Sequence, residues 1–279
     1  MLHHNLVHIR DMLIAEWLIL VLVGAGFLVF ILALKTLAGD RFRIHRTVGR
    51  PTLVARELIN SSRSLIIYNG MQILMRVFIL SFGFVLTFDK EPPLWQVAIS
   101  FPLIILLHDA YFYWTHRIFH SRFVFRLVHS EHHKAVQPTV FTAYRFSIIE
   151  AAVQGMYPIF YAALLPCSFS TLIFFYVVMI AHDVMIHSGV DIVPRFLVIG
   201  PFGWVCGTLH HDMHHRLGRS NYGLYFRFWD RLMRTEHPQF ERLFDHVHSP
   251  ANRGDVYRLI ARRRDELAPA AAAVGGPAA

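Results

Sequence analysis

The chain has 279 residues, of which 54% are hydrophobic and 16% charged, with a formal net charge of +8 at pH 7. Soluble domains carry about 25% charged residues, so the composition excludes a surface that meets only water and points to lipid. Cys167 and Cys206 are too few for a disulfide framework and lack CxxC spacing, and read as small apolar packing residues. The basic excess, with no nucleic-acid motif beside it, reads as a cytoplasmic membrane face.

In chain order, Met12–Leu34 and Ser64–Phe88 are long and nearly uncharged, each sufficient for a hydrocarbon core that needs ~20 apolar residues. The first has no basic start, contains Glu16 and is followed by no small-residue cleavage site, so it is expected to be a retained span. Arg76 interrupts the second, which either turns that charge toward the bundle interior or lies partly in the interface. Between them Lys35, Arg41, Arg43, Arg46, Arg50, Arg56 and Arg63 stand against Asp40 and Glu57, whereas DKEPP at 89–93 holds one lysine and two acids. The first loop is therefore assigned to the cytoplasm. Leu94 to about Leu107 continues as an aromatic-rich helix to His120. Ile148–Leu165 and Phe169 to about Ile186 form a hairpin around Pro166–Ser168. The Ala, Gly and Pro tail from Ala268 to Ala279 cannot bury a core and is expected to be disordered.

The expected fold class is all-α: an integral membrane helical bundle of four to five spans under a cytosolic, histidine-rich helical cap. It divides into residues 1–92 with the first spans and basic loop, 93–265 with the remaining spans and the cap, and the tail 266–279. Alternating the spans across the membrane puts every dense histidine cluster on the cytoplasmic side.

Those clusters carry the chemistry. HRIFH places His116 and His120 four apart; HSEHH places His129, His132 and His133 at i, i+3 and i+4; HDMHH repeats the triplet with His211, His214 and His215. Positions three and four apart share a helix face, so each cluster can aim its imidazoles at a common point. Protonated rings so close would repel and buried neutral ones would need partners, and a divalent cation resolves both problems by taking the lone pairs. AHDVMIHSG adds His187 at a span end. Asp183, one turn earlier, ligates through water or orients His187, and His182 is left open between ligand and core histidine. Zinc takes four ligands and octahedral iron six, so eight or nine donors imply two metals whose identity imidazole chemistry alone does not choose.

Asp109, Tyr113, His116 and His120 form one stripe, so Asp109 either accepts a ligand histidine's second N–H or caps or pairs locally. Glu150 and Asp230 are weaker candidates for the same orienting role. Tyr111, Phe112, Tyr113 and Trp114 shape a lipid entrance or form an interface belt. No HExxH, glycine-rich nucleotide fingerprint or nucleophile elbow is present. Three classes of function compete. A di-metal lipid oxygenase uses paired triplets at one membrane face. A metal carrier or sensor would hold its ions nearer the membrane centre. A bis-histidine haem carrier would place single ligands on facing helices.

HDAYFYWTHRIFH, HSEHHK, IHSGVDIVP and LHHDMHHRLGRSNYGLYFRFWDRL, over about residues 105 to 235, resemble the ordered boxes of the fatty acid hydroxylase superfamily, which includes sterol desaturases, sterol methyl oxidases and sphingolipid hydroxylases. The HSGVDIVP stretch is most similar to the sterol methyl oxidase pattern. The resemblance implies a non-haem di-iron centre held by His116, His120, His129, His132, His133, His187, His211, His214 and His215, with the tenth ligand open. It further implies dioxygen as co-substrate, a separate electron-donor protein, and hydroxylation or desaturation of a lipid or sterol C–H bond. One departure stands out: many relatives carry a glycine before the threonine after WDRL, where this chain has Arg234, which puts the local turn in doubt.

Overall fold

The computed structural model describes residues 51–81, 93–165, 168–201, 203–252, 254 and 256–259, together with 42–45 and scattered positions between 14 and 37. Most of the Met12–Leu34 span, the 82–92 connection with DKEPP, Cys167, the Arg76 side chain and the tail lie outside the described residues. Among those described, every regular element is helical, and extended pairing is limited to two isolated bridges, Arg43 with Val190 and Val205 with Phe226.

Helix α1 (Pro51–Ser81) begins inside the stretch expected to be a basic loop. Its buried Glu57 accepts from Thr139 Oγ1 at 2.6 Å, and its buried Ser64 exchanges hydrogen bonds with Phe146, so the helix lies along the 139–155 region. Helix α2 (Leu94–Phe119, 26 residues) matches its expected bounds. At 1.5 Å per residue it reaches the ~30 Å of a hydrocarbon core. Among the described residues it is the one helix long and apolar enough to cross a membrane, with Ser170–Ile186 a shorter apolar helix. The count of four to five spans thus rests on one clear helix. Leu94, Trp95, Ile99, Leu106, Trp114 and Ile118 are exposed along one side of α2, while Ile104, His108, Tyr113 and His116 are buried along the other.

After α2 a π-helical turn (Phe125–His129) runs into α3 (Ser130–His133), and a 3-10 turn (Val140–Tyr144) leads to α4 (Ile148–Gly155) and α5 (Tyr157–Leu164). Residues 148–165, read from sequence as one span, are therefore two eight-residue helices. Pro158 has no N–H to continue the ladder and restarts the helix instead. Ser147 caps α4 by accepting from Glu150 N at 3.1 Å. Helix α6 (Phe169–Ile186) keeps its expected bounds, with Ser168 as its cap.

The cap holds α7 (Arg195–Val198), α8 (Thr208–Leu217), α9 (Phe228–Leu232) and α10 (Phe240–Val247). One apolar core, including Ile104, Phe175, Met179 and Tyr225, fills the bundle; a second, including Ile44, Leu209, Met213, Phe244 and Val256, lies behind α8. Helix α8 is fixed at both ends. Asp191 Oδ2 accepts from Leu209 N at 2.8 Å, and Gly218, at φ 69, ends the helix by donating its N–H to His214 O at 2.7 Å. Mid-helix, fully buried Asp212 accepts from His45 Nε2 at 2.7 Å and from the Tyr257 hydroxyl, tying α8 to residues near both ends of the described chain.

Candidate metal centre

Four stretches deliver the clustered histidines: the end of α2, the π-turn with α3, His187 at the C-terminal end of α6, and α8. They converge on two groups, each with its ligand atoms all within 4.8 Å of one another: His116, His120, His129, His133 and His214 in one, His132, His187, His211 and His215 in the other. All nine histidines read from sequence as ligands fall in these groups.

The triplets do not each aim at one point, as their spacing had led us to expect. HSEHH gives His129 and His133 to the first group and His132 to the second; HDMHH gives His211 and His215 to the second and His214 to the first. Residues i and i+4 differ by only about 40° around a helix, whereas adjacent residues differ by about 100°. Each HH doublet therefore reaches both groups, and the centroids of His133 and His215 lie 4.8 Å apart across the junction.

The far side of many rings is tethered. His116 Nδ1 donates to Tyr222 O at 2.9 Å, His214 Nδ1 to Ser220 O at 2.8 Å, His187 Nδ1 to Asp183 O at 2.7 Å and His133 Nδ1 to His215 O at 3.4 Å. His129 Nδ1 meets Glu150 Oε1 at 2.5 Å. A carbonyl oxygen only accepts, so those Nδ1 atoms carry the proton and their Nε2 atoms carry lone pairs. Yet Nε2 faces Nε2 at 3.0 Å between His133 and His214 and at 3.0 Å between His116 and His129. In the second group His211 Nε2 lies 3.0 Å from His187 Nε2 and 3.1 Å from His215 Nε2. Four further ring nitrogens, His120 Nε2, His132 Nδ1, His211 Nδ1 and His215 Nδ1, are buried without a hydrogen-bond partner.

Protonation does not relieve these contacts. Burial lowers His129, His132, His211, His214 and His215 well below the ordinary histidine value, with neighbouring imidazoles adding to the shift. Burial also lowers His133 to about 4, against the favourable His215 carbonyl. The rings are neutral at pH 7, their lone pairs converge, and several have no partner within the chain. That donor set fits cations bound between them.

The carboxylates behave differently from expectation. No histidine donates to Asp109 among the described residues: its Oδ1 takes the amides of Tyr225 and Phe226 at 2.8 and 3.1 Å. Asp230 accepts from Tyr222 N, Gly223 N and Thr235 Oγ1 at 2.9, 2.7 and 2.7 Å, and so fixes the residue whose carbonyl holds His116. A Cβ on Gly223 would stand 2.6 Å from Phe226 O, so this tight turn requires glycine. Asp183 orients His187 through its backbone carbonyl, with its carboxylate 3.8 Å away. Glu150, the weaker candidate, is the carboxylate that touches a clustered ring directly.

His182 stands outside both groups, with Nε2 2.8 Å from Leu224 O and its ring against Tyr225. His210, the remaining histidine of LHHDMHHR, is fully buried on another face, 3.5 Å from Asp230 and edge-on to Phe240. The aromatic run of α2 splits. Tyr111 donates to Val153 O, Phe112 meets His116, Tyr113 is fully buried, and Trp114 is 42% exposed. Sequence reasoning missed Asp212, which sits inside the quoted octet, with its partners His45 and Tyr257. Only its charged identity amid buried neighbours marked it. At the end of the box Arg234 adopts φ 55, the left-handed region, and the turn forms with Thr235 N donating to Asp230 O at 2.8 Å.

Residues 101–235 match the fatty acid hydroxylase family model. The chain is 31% identical over 160 residues to a Delta(7)-sterol 5(6)-desaturase of Gibberella zeae, covering 56% of this chain and 44% of that protein. It is 30% identical to human lathosterol oxidase, covering 50% and 45%, and 30% identical to rat cholesterol 25-hydroxylase, covering 52% and 49%. The matches thus span less than half the length of these curated relatives. No solved structure matches the chain.

Proposed function

Since this chain belongs to the fatty acid hydroxylase superfamily, we propose that it is a membrane-bound non-haem di-iron oxygenase. In this reading it hydroxylates or desaturates a C–H bond of a sterol or other lipid, using dioxygen and electrons from a separate donor protein. The observation that carries the proposal is the pair of adjoining histidine groups whose lone pairs face one another in a buried site. The similarity to sterol desaturases and a sterol hydroxylase supports the substrate class.

His116, His120, His129, His133 and His214 would hold one iron, and His132, His187, His211 and His215 the other. Iron bound there supplies dioxygen activation. The chain supplies the rest. Carbonyls of Tyr222, Ser220, Asp183 and His215 fix ring orientation and keep each Nε2 unprotonated. Glu150 increases the donor strength of His129. Phe112, Phe119, Phe125 and Phe146 surround the rings and exclude water. In this reading the exposed apolar side of α2 from Leu94 to Leu106 faces lipid, Trp114 stands past the ~30 Å hydrocarbon core, and the site lies at the cytoplasmic end of the helix, where a bilayer-dissolved substrate arrives by lateral diffusion and is held for reaction.

The test is purification from iron-supplemented cells, followed by metal analysis and product analysis with sterol and acyl lipid substrates, a reductase system and dioxygen. The proposal predicts two irons per chain and an oxidised lipid that requires oxygen. Iron-loaded protein that leaves every lipid class unchanged would overturn the oxygenase assignment, and metal flux in sealed vesicles would support a carrier instead.

A further inference from the structure

Among the described residues, five rings other than histidine touch the clustered histidines, and their chemistry is uneven. Phe112 meets His116, Phe119 meets His129, Phe125 meets His120, His129 and His133, and Phe146 meets His132. The fifth is Tyr222, with centroid distances of 5.7, 5.2 and 5.3 Å to His116, His120 and His214. A phenyl ring holds its electrons too tightly to be oxidised in a protein, whereas phenol and indole rings can each yield one. The five-histidine group therefore has one oxidisable neighbour, and the four-histidine group has only Phe146.

From Tyr222 an oxidisable chain leads outward. Tyr113 lies 6.3 Å from Tyr222 and stacks on Trp229 at 5.8 Å and 21°. Trp114 closes the outer end, 5.5 Å from Tyr113 and 5.8 Å from Trp229, and reaches the surface at 42% exposure. These separations are those of aromatic rings in contact, and electron exchange falls steeply with distance. The Arg117 guanidinium lies 5.8, 5.9 and 6.0 Å from the Tyr113, Trp114 and Tyr222 centroids, giving this end a positive charge that suits an anionic reductant.

Tyr113 also has a place for its proton. Thr235 Oγ1 donates to Asp230 Oδ1 at 2.7 Å, so in the 2.9 Å contact between Tyr113 and Thr235 the tyrosine is the donor. Simple packing would not require a fully buried phenol to end on a hydroxyl that leads to a carboxylate.

Resting on the di-iron reading above, we propose that Tyr222, Tyr113 and the Trp114–Trp229 pair form a one-electron relay. It returns an electron from the surface to the five-histidine site when oxygen is consumed with no lipid C–H bond in place. Tyr222 gives one electron to the site and its phenolic proton to solvent. Tyr113 re-reduces Tyr222, which recovers a proton from solvent, while the Tyr113 proton passes to Thr235 and that of Thr235 to Asp230. Trp229 re-reduces Tyr113 as those two protons return. The indole radical cation, shared with Trp114, then takes one electron from a soluble one-electron donor protein. In net terms the donor loses one electron, activated dioxygen gains it, and the relay residues end unchanged.

The test uses full-length, iron-loaded protein in detergent, chemically reduced, mixed with dioxygen without lipid and freeze-quenched for electron paramagnetic resonance. A tyrosyl radical is expected in the wild type, its hyperfine pattern altered by ring-deuterated tyrosine. Tyr222→Phe is expected to lose the signal at unchanged iron content, and Trp114→Phe/Trp229→Phe to lengthen its lifetime. Equal radical yield in Tyr222→Phe, or no tyrosyl radical in a wild type that oxidises lipid, overturns the relay and leaves the oxygenase reading standing. Protein that takes up no iron overturns both.

Discussion

His133 and His214 point their Nε2 atoms at each other across 3.0 Å while each Nδ1 donates to a backbone carbonyl. No proton is left to lie between them, so within the chain alone this contact sets lone pair against lone pair. The pair joins two helical stretches that are 81 residues apart. A bound cation turns the contact from repulsive to cohesive, and the site's chemistry and the cap's stability follow from the same geometry.

Replacing His214 with alanine removes one donor from the first group. The expected outcome is loss of one of the two irons and of oxygen-dependent lipid turnover, with membrane insertion intact. His182→Asn alters a residue bound to Leu224 O outside both groups and should retain both irons. Metal analysis of the two membrane-purified variants separates them, and equal loss in both would mean that the ligand set is misassigned.

Glu150→Gln keeps the shape beside His129 but removes the carboxyl group that meets its Nδ1 at 2.5 Å. Replacing such outer partners costs about 10–100-fold in metal affinity. Competition with a chelator should place Glu150→Gln in that range, and an affinity equal to wild type would show that this carboxylate does not support the ligand.

The metal-free chain should be sensitive to acid. His133 and His187 both titrate at about 4 when folded, because burial penalises their charged forms, against 6.5 when unfolded. Between those values the unfolded chain binds more protons, so stability is lost as pH falls from about 6.5 towards about 4, and these groups add no slope above that window. Thermal unfolding of chelator-treated protein across pH 4 to 8 measures this, with iron-loaded protein shifted to higher temperature throughout.

How far the sequence was legible follows from which interactions are local. The bounds of Leu94–Phe119 and Phe169–Ile186 were visible because long apolar runs end in clear breaks. Eight of the nine histidines were visible because i, i+3 and i+4 spacing marks a shared helical region, and His187 because it ends an apolar span. Their division into five and four was not, since the HH doublets split by helix pitch and the partner rings come from distant stretches. The target of Asp109 was hidden because backbone amides at 225 and 226 leave no signature in sequence. Residues 148–165 looked continuous because Tyr157 and Pro158 sit among apolar residues, and hydropathy does not register a missing N–H.

The doubt over the turn after WDRL resolves into strain. Arg234 holds φ 55, where an L-residue pays about 1–2 kcal/mol. Arg234→Gly should therefore raise stability by about 0.5–1 kcal/mol once glycine's greater unfolded-state freedom is subtracted. Arg234→Val should lower it. Chemical denaturation of the three proteins gives the order, and a glycine variant weaker than wild type would contradict the strain argument.

The central claim, two ions held by imidazoles from both groups, is tested most directly by X-ray absorption at the iron edge on metal-quantified protein. The account predicts two irons per chain, each with a first coordination sphere dominated by histidine nitrogen, and one iron with its imidazole scattering intact in a combined His133→Ala/His214→Ala variant. One iron or none in correctly folded protein, or a spectrum without imidazole scattering, would contradict it.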